Sequence, residues 1–172
     1  MEMEDSKENK LILDVIMGKI SKIDFENIFP EKLSKNYLLN KINRSKIKKD
    51  SDELEYALLL IPYIQDYNLE YFSNIFRELL EGNWHNQQEV LIDILSNTPD
   101  EKNIETFYLV AITNYNDRSW DEGIESLAIK CIWGLRRINT LKSWKKIELL
   151  SQSNNSIIRL AAKEHLKNRV NG

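Results

Sequence analysis

Apolar residues recur along the chain at the three- and four-residue spacing that lines one face of a helix. Leu11, Ile12, Val15 and Ile16 form the first such stripe. Leu38, Leu39 and Ile42 form a weaker one behind Ser34, a residue type suited to capping a helix N-terminus. Leu54, Ala57, Leu58 and Ile61 then follow the i, i+3, i+4, i+7 template, as do Leu69, Phe72, Ile75, Phe76 and Leu79. The pattern returns at Val90, Leu91, Ile94 and Leu95, and again at Ile104, Phe107, Tyr108, Ala111 and Ile112. Ile124, Leu127, Ala128, Cys131, Leu135 and Ile138 make the longest stripe. Leu141, Trp144, Ile147 and Leu150 predict one more helix, and Ile158, Ala161, Ala162 and His165 the last. The polar, basic stretch NRSKIKKDSD (43–52) reads as a loop ending in a cap at Asp50 or Ser51. No segment alternates with period two for long enough to be a strand, and five glycines and three prolines leave little hairpin chemistry. The pattern predicts an all-α chain of about nine short helices.

Laying the chain over itself exposes a repeat. With Trp84 placed on Trp120, WHNQQEVLIDIL aligns with WDEGIESLAIKC, so that Glu89 falls on Glu125, Leu91 on Leu127 and Leu95 on Cys131. SLAIK (126–130) lies over RLAAK (159–163), and Glu55 and Ile61 lie over Glu89 and Leu95. Each of these helices except the last is followed by a second one, at 68–81, 103–114 and 141–151. The unit is a helix pair of about 35 residues that ends in a lone helix. One pair cannot bury its apolar face alone, so neighbours must stack. In its period, its paired helices and its LAIK/LAAK core positions, the segment from about 51 to 170 resembles the HEAT-like α-helical repeats. Pro62, in the first helix of one unit, matches the kink that such repeats often carry. The resemblance implies a right-handed α-solenoid over 51–172, with residues 1–50 as an N-terminal helical cap of the same domain. It also implies that the second helices line a concave groove.

Composition adds to this picture mainly through charge. At 172 residues the chain is long enough for one continuous core. MEMEDSKENK is too charged for a secretory signal, and the apolar run YALLLIPYI (56–64) is too short to span a bilayer. Cys131 is the single cysteine, which excludes an internal disulfide and a multi-cysteine zinc site, so the chain reads as cytoplasmic. Residues 51–105 hold 12 acidic side chains and only two basic ones, Arg77 and Lys102, whereas 106–172 hold 11 basic and 6 acidic. An acidic centre of this kind repels nucleic acid and attracts a basic protein.

Candidate chemistry is sparse. Trp84 and His85 stand together in GNWHNQQ, but the repeat counterpart of His85 is Asp121, and no GxSxG or HxE pattern lies nearby. The stretch therefore reads as the opening turn of a helix, with Trp84 packed at the junction and His85 at the surface. His165, at the seam position of Leu95 and Cys131, reads as half-buried. The two histidines lack metal-ligand spacing, the glycines form no phosphate loop, and no cofactor is expected. Asp52/Glu53 and Asp121/Glu122 sit at expected helix starts, where carboxylates meet the helix dipole, and Ser119 with Glu122 fits a capping box. The basic residues Arg136, Arg137, Lys142, Lys145 and Lys146 read as an exposed helix face.

What remains is surface. Acids interleaved with tyrosines on the second helices suit a groove for a basic protein, with aromatic residues as anchors. The partner-binding candidates are Glu70, Tyr71, Glu78, Trp84, His85, Glu105, Tyr108, Trp120 and Asp121. In size, helical-repeat architecture and acidity the chain resembles the HEAT-like immunity proteins of bacterial contact-dependent inhibition and polymorphic toxin systems. That resemblance implies no enzymatic activity. It implies binding of a cognate toxin domain, a basic nuclease, with its active site or substrate groove occluded, and no nucleic acid, membrane or small-molecule partner. A HEAT-like adaptor or assembly protein is the alternative, and a helical-repeat DNA glycosylase a further one that the acidic centre disfavours.

Overall fold

The computed structural model describes residues 2–113 and 123–170, and every regular element among them is helical: ten α-helices and one 3₁₀ turn. The chain divides into two compact units, residues 1–72 and 73–172.

The first unit holds α1 (Glu2–Ile16), α2 (Lys22–Ile28), α3 (Lys35–Lys48), α4 (Ser51–Leu59) and the 3₁₀ turn Ile61–Tyr63. It ends in the first turn of α5 (Leu69–Leu80). Gly18, at φ +70°, closes α1 in the left-handed conformation that a side chain would resist. The stripe periodicity misses α2, which is seven residues long and buries a single apolar side chain, Phe25. The Phe25 ring lies 5.1 Å from Phe29 and 4.9 Å from Tyr63, at tilted and edge-on angles. Ser34 caps α3 as expected, accepting from the Tyr37 N–H. The expected loop from residue 43 is instead helical up to Lys48, because Lys41, Ile42 and Ser45 turn inward on one face and carry the helix on. Lys49 then adopts φ 54°, and Asp50 caps α4 by accepting from the Glu53 N–H at 2.9 Å. Pro62 does not kink a helix. It lies in the 3₁₀ turn after α4 has ended, where its missing N–H costs nothing.

The second unit holds the rest of α5, then α6 (Gln88–Ser96), α7 (Asn103–Ile112), α8 (Gly123–Ile138), α9 (Leu141–Leu150) and α10 (Ser156–Val170). α8 is the hub, packing against α6, α7, α9 and α10, while α7 packs on α9 and α9 on α10. Its inward face is fully buried along Ala128, Cys131, Ile132 and Leu135, and Phe107 of α7 is buried with it. Burying a side chain of this size is worth about 1.5–3 kcal/mol. The α8–α9 link repeats the device of the α3–α4 link. Asn139 takes φ 53° and Thr140 caps α9, with Ser143 returning the bond in a capping box. Asn103, 2% exposed, donates to the Leu95 carbonyl at 3.2 Å, satisfying the C-terminus of α6 from the start of α7.

Two registers differ from the sequence pattern. Val90 is exposed and Ile92 buried, so the buried face of α6 is rotated toward Ile92. Leu160, aligned with the buried Leu127, is 70% exposed. On α10 the buried positions are Ile158, Ala162 and His165. Among the described residues no helix is long and apolar enough to cross a membrane.

Candidate protein-binding surface

The stretch GNWHNQQ is a folded junction between α5 and α6. Gly82 lets the Trp84 ring approach, since a Cβ there would stand 2.9 Å from Trp84 Nε1. Trp84 meets His85 edge to face at 4.7 Å. His85 does not lie at the surface; it is only 7% exposed. The Gln87 N–H donates to its Nδ1 at 3.1 Å, so Nε2 carries the ring proton and donates to the Leu79 carbonyl at 3.0 Å. That carbonyl, at the end of α5, also accepts from the Gly82 N–H at 2.8 Å, so the ring bonds to its second lone pair and is drawn inward. Gln88, also buried, donates to the His85 carbonyl at 2.8 Å. His85 thus ties the helix end to the loop and leaves the set of partner-binding candidates.

The remaining candidates fall in different settings. Glu70 and Tyr71 lie in the first turn of α5, both exposed; the Tyr71 ring meets Phe72 edge-on at 5.1 Å and Lys35 Nζ stands 5.4 Å from it. Glu78 is exposed near the C-terminal end of α5. Glu105 and Tyr108 share one face of α7 and are brought together by Lys146 of α9. Its Nζ is 2.8 Å from Glu105 Oε2 and 4.3 Å from the centre of the Tyr108 ring. The expected acid-and-tyrosine groove is therefore closed at this point by the protein's own cation. Trp120 and Asp121, with Ser119 and Glu122, lie outside the described residues.

Other acids of the central segment are answered in the same way. Lys130 of α8 reaches Asp93 at 2.5 Å and Glu89 at 3.7 Å, both on α6. Partial burial alone would lower the Lys130 pKa, but the hydrogen bond and charge of Asp93, with Glu89, raise it above the ordinary lysine value. Arg77 of α5 lies 3.6 Å from Asp100 and donates to Asn103 Oδ1 at 2.8 Å. In the first unit Glu53 pairs with Arg44 and lies 3.7 Å from Lys48.

One feature of this surface has no counterpart among the sequence candidates. Trp133 of α8 is 50% exposed, beside a depression of about 420 Å³ formed by Asp93 of α6 and Asn97, which follows it, with Lys130, Gly134 and Arg137 of α8. Ser96 also lines it, its hydroxyl covered and without a hydrogen-bond partner among the described residues. The Trp133 ring is held from behind. Arg136 lies over it at 5.2 Å and His165 of α10 meets it edge to face at 4.6 Å. Burial, then the neighbouring Arg136 charge, holds the His165 pKa below the ordinary imidazole value. The signal in the sequence was positional: Trp133 falls between the core positions Cys131, Ile132 and Leu135, where a large apolar residue has no inward place. Among the described residues no cluster of histidine, cysteine or carboxylate side chains is arranged to hold a metal ion.

No protein-family model, curated protein or solved structure matches the chain.

Proposed function

We propose that the chain is a helical-repeat binding protein that neutralises a cognate toxin domain in the cytoplasm, as immunity proteins of HEAT-like architecture do. The observation that carries this reading is the packing order of the second unit. α6 packs on α8 and α8 on α10, while α7 packs on α9. First helices on first helices and second on second is the order of a stack of helix pairs. It supports a solenoid, an architecture suited to gripping an extended protein surface. The partner is a basic domain, a nuclease in the fullest form of the reading, and its substrate groove is the surface to be covered. Glu70 and Glu78, both exposed on α5, supply negative charge for it. Glu105, held by Lys146, contributes less.

The test is co-expression with the C-terminal domain of the protein that the adjacent upstream gene encodes, followed by co-purification and titration at several salt concentrations. A complex should form, and Glu70→Lys and Glu78→Lys should each weaken it by about three- to tenfold and flatten its salt dependence. Absence of a complex with that domain would overturn the reading. Unchanged affinity in both variants would remove its electrostatic part.

A further inference from the structure

We infer that the depression beside Trp133 is an anchor site for a carboxylate presented, next to an apolar side chain, by the surface of a protein partner. Lys130, Trp133, Gly134 and Arg137 stand at i, i+3, i+4 and i+7 of α8, so they share one helix face. The charges on that face are unequally used. The Lys130 ammonium is engaged by Asp93 and Glu89. Arg137 is exposed and has no ion-pair or hydrogen-bond partner among the described residues, so its planar fork of donors is available. Asn97, exposed on the α6 side, offers a carboxamide in the same condition. A guanidinium and an amide lining one recess match the oxygens of a carboxylate, and the half-exposed Trp133 ring beside them offers contact to an apolar neighbour.

The shape identifies the source of that carboxylate. A volume of about 420 Å³ would hold a small molecule, but bound small molecules have most of their surface covered. Here the rim is open, with Trp133 50% exposed and the Asp93 side chain 60% exposed. A side chain carried on a protein has its outer side covered by the protein that bears it. Tryptophan and arginine are also the residues that concentrate binding energy at protein interfaces. Trp133 is ready for that role, because Arg136 and His165 already fix its ring.

The site is tested on the full-length chain with N-acetyl-Ala-Leu-Glu-Leu-Ala-amide, its Gln counterpart and free glutarate, by calorimetry and by the Trp133 indole N–H resonance. The Glu peptide should move that resonance and bind at least about fivefold more tightly than the Gln peptide. Arg137→Gln should remove that preference without lowering the melting temperature, and Trp133→Ala should weaken both peptides. Equal binding of the Glu and Gln peptides, or an unmoved Trp133 resonance, would overturn the site. Glutarate binding as tightly as the Glu peptide would overturn its protein source. The inference rests on the reading of the chain as a binding protein only for that source, and the two fail separately. A chain that captures its toxin yet ignores the Glu peptide keeps the function and loses this site.

Discussion

Gly134→Ala sets two effects of known sign against each other. In an exposed helix, replacing glycine by alanine stabilises by about 1 kcal/mol, because the chain has less backbone freedom to lose. Gly134 lies near the C-terminal end of α8, buried against α7 and α6. A Cβ added there would stand 2.6 Å and 2.8 Å from two carbons of the Phe107 ring and 2.8 Å from Ser96 Oγ. Non-bonded carbons prefer about 3.5–4.0 Å, so roughly 1 Å must be opened between the helices. Phe107 is fully buried, and α8 is packed on four other helices, so neither side yields freely. Overpacking costs typically about 1–3 kcal/mol. With three contacts this close we take the upper end, which leaves a net destabilisation of about 2 kcal/mol after the propensity gain. For a chain of this size that lowers the melting temperature by about 4–8 °C. Thermal and urea unfolding followed at 222 nm measure it. Phe107→Leu should then relieve the clash, shrinking the cost of Gly134→Ala by at least about 1 kcal/mol in a double-mutant cycle. A Gly134→Ala variant that melts higher than the parent would refute the packing argument, and strict additivity with Phe107→Leu would show that the ring is not the obstacle.

Three further outcomes follow from buried groups. Glu8 accepts from the Tyr37 hydroxyl at 2.7 Å and lies 3.5 Å from Lys41 Nζ, with the Lys41 side chain only 2% exposed. Glu8→Ala should therefore cost about 3–5 kcal/mol in urea unfolding by stranding a buried ammonium, while Glu8→Met with Lys41→Met should recover most of it; a single-variant cost below about 1 kcal/mol would count against the buried pair. Cys131 is fully buried and its thiol pKa is pushed up by that burial, so a disulfide reagent at pH 8 should label it only as fast as the protein unfolds; complete labelling within seconds in native buffer would contradict the burial. His165 holds its proton less tightly folded than unfolded, so below the ordinary imidazole pKa of 6.5 the unfolded chain gains protons first and stability falls as pH falls. His165→Leu should flatten that loss between pH 7.5 and 5.5 in thermal melts, and an unchanged slope would assign it to other groups.

How far the sequence could be read depends on whether a residue's place is set locally or by a neighbouring helix. Ser34 and Asp50 were legible as caps, because a cap needs only its own side chain and an N–H three residues on. The stripes were legible because one face of each helix is apolar. The helical run to Lys48 was hidden, since NRSKIKK is polar and only the burial of Lys41, Ile42 and Ser45 against neighbouring helices keeps it wound. α2 was hidden because a single phenylalanine gives no period. The exposure of Leu160 was hidden because LAAK carries the same letters as the buried LAIK, whereas α10 buries Ile158, Ala162 and His165. Of the candidate site, the exposure of Glu70, Tyr71 and Glu78 was legible. The burial of His85 was not, because it depends on a carbonyl six residues back that becomes available only where α5 ends. Trp133 was passed over because repeat matching favours positions that recur, and it has no aromatic counterpart on α6 or α10.

Part of the uneven charge along the chain is answered inside the fold. Basic side chains of the C-terminal segment point back at acids of the central one. Lys130 meets Asp93 and Glu89 across α8 and α6, and Lys146 meets Glu105 across α9 and α7. Each link joins two helices that pack on one another, α8 on α6 and α9 on α7. Exposed links of this kind are worth at most about 1 kcal/mol each, too little to hold the stack together against its apolar core. For partner binding the consequence is specific. Glu105, bonded internally, is a poor contributor to a basic partner's attraction, so the salt dependence of complex formation should be nearly indifferent to Glu105→Gln. If Glu105→Gln alone flattened that dependence, Lys146 would have to leave Glu105 in the complex, and the internal ladder would be a latch that the partner opens.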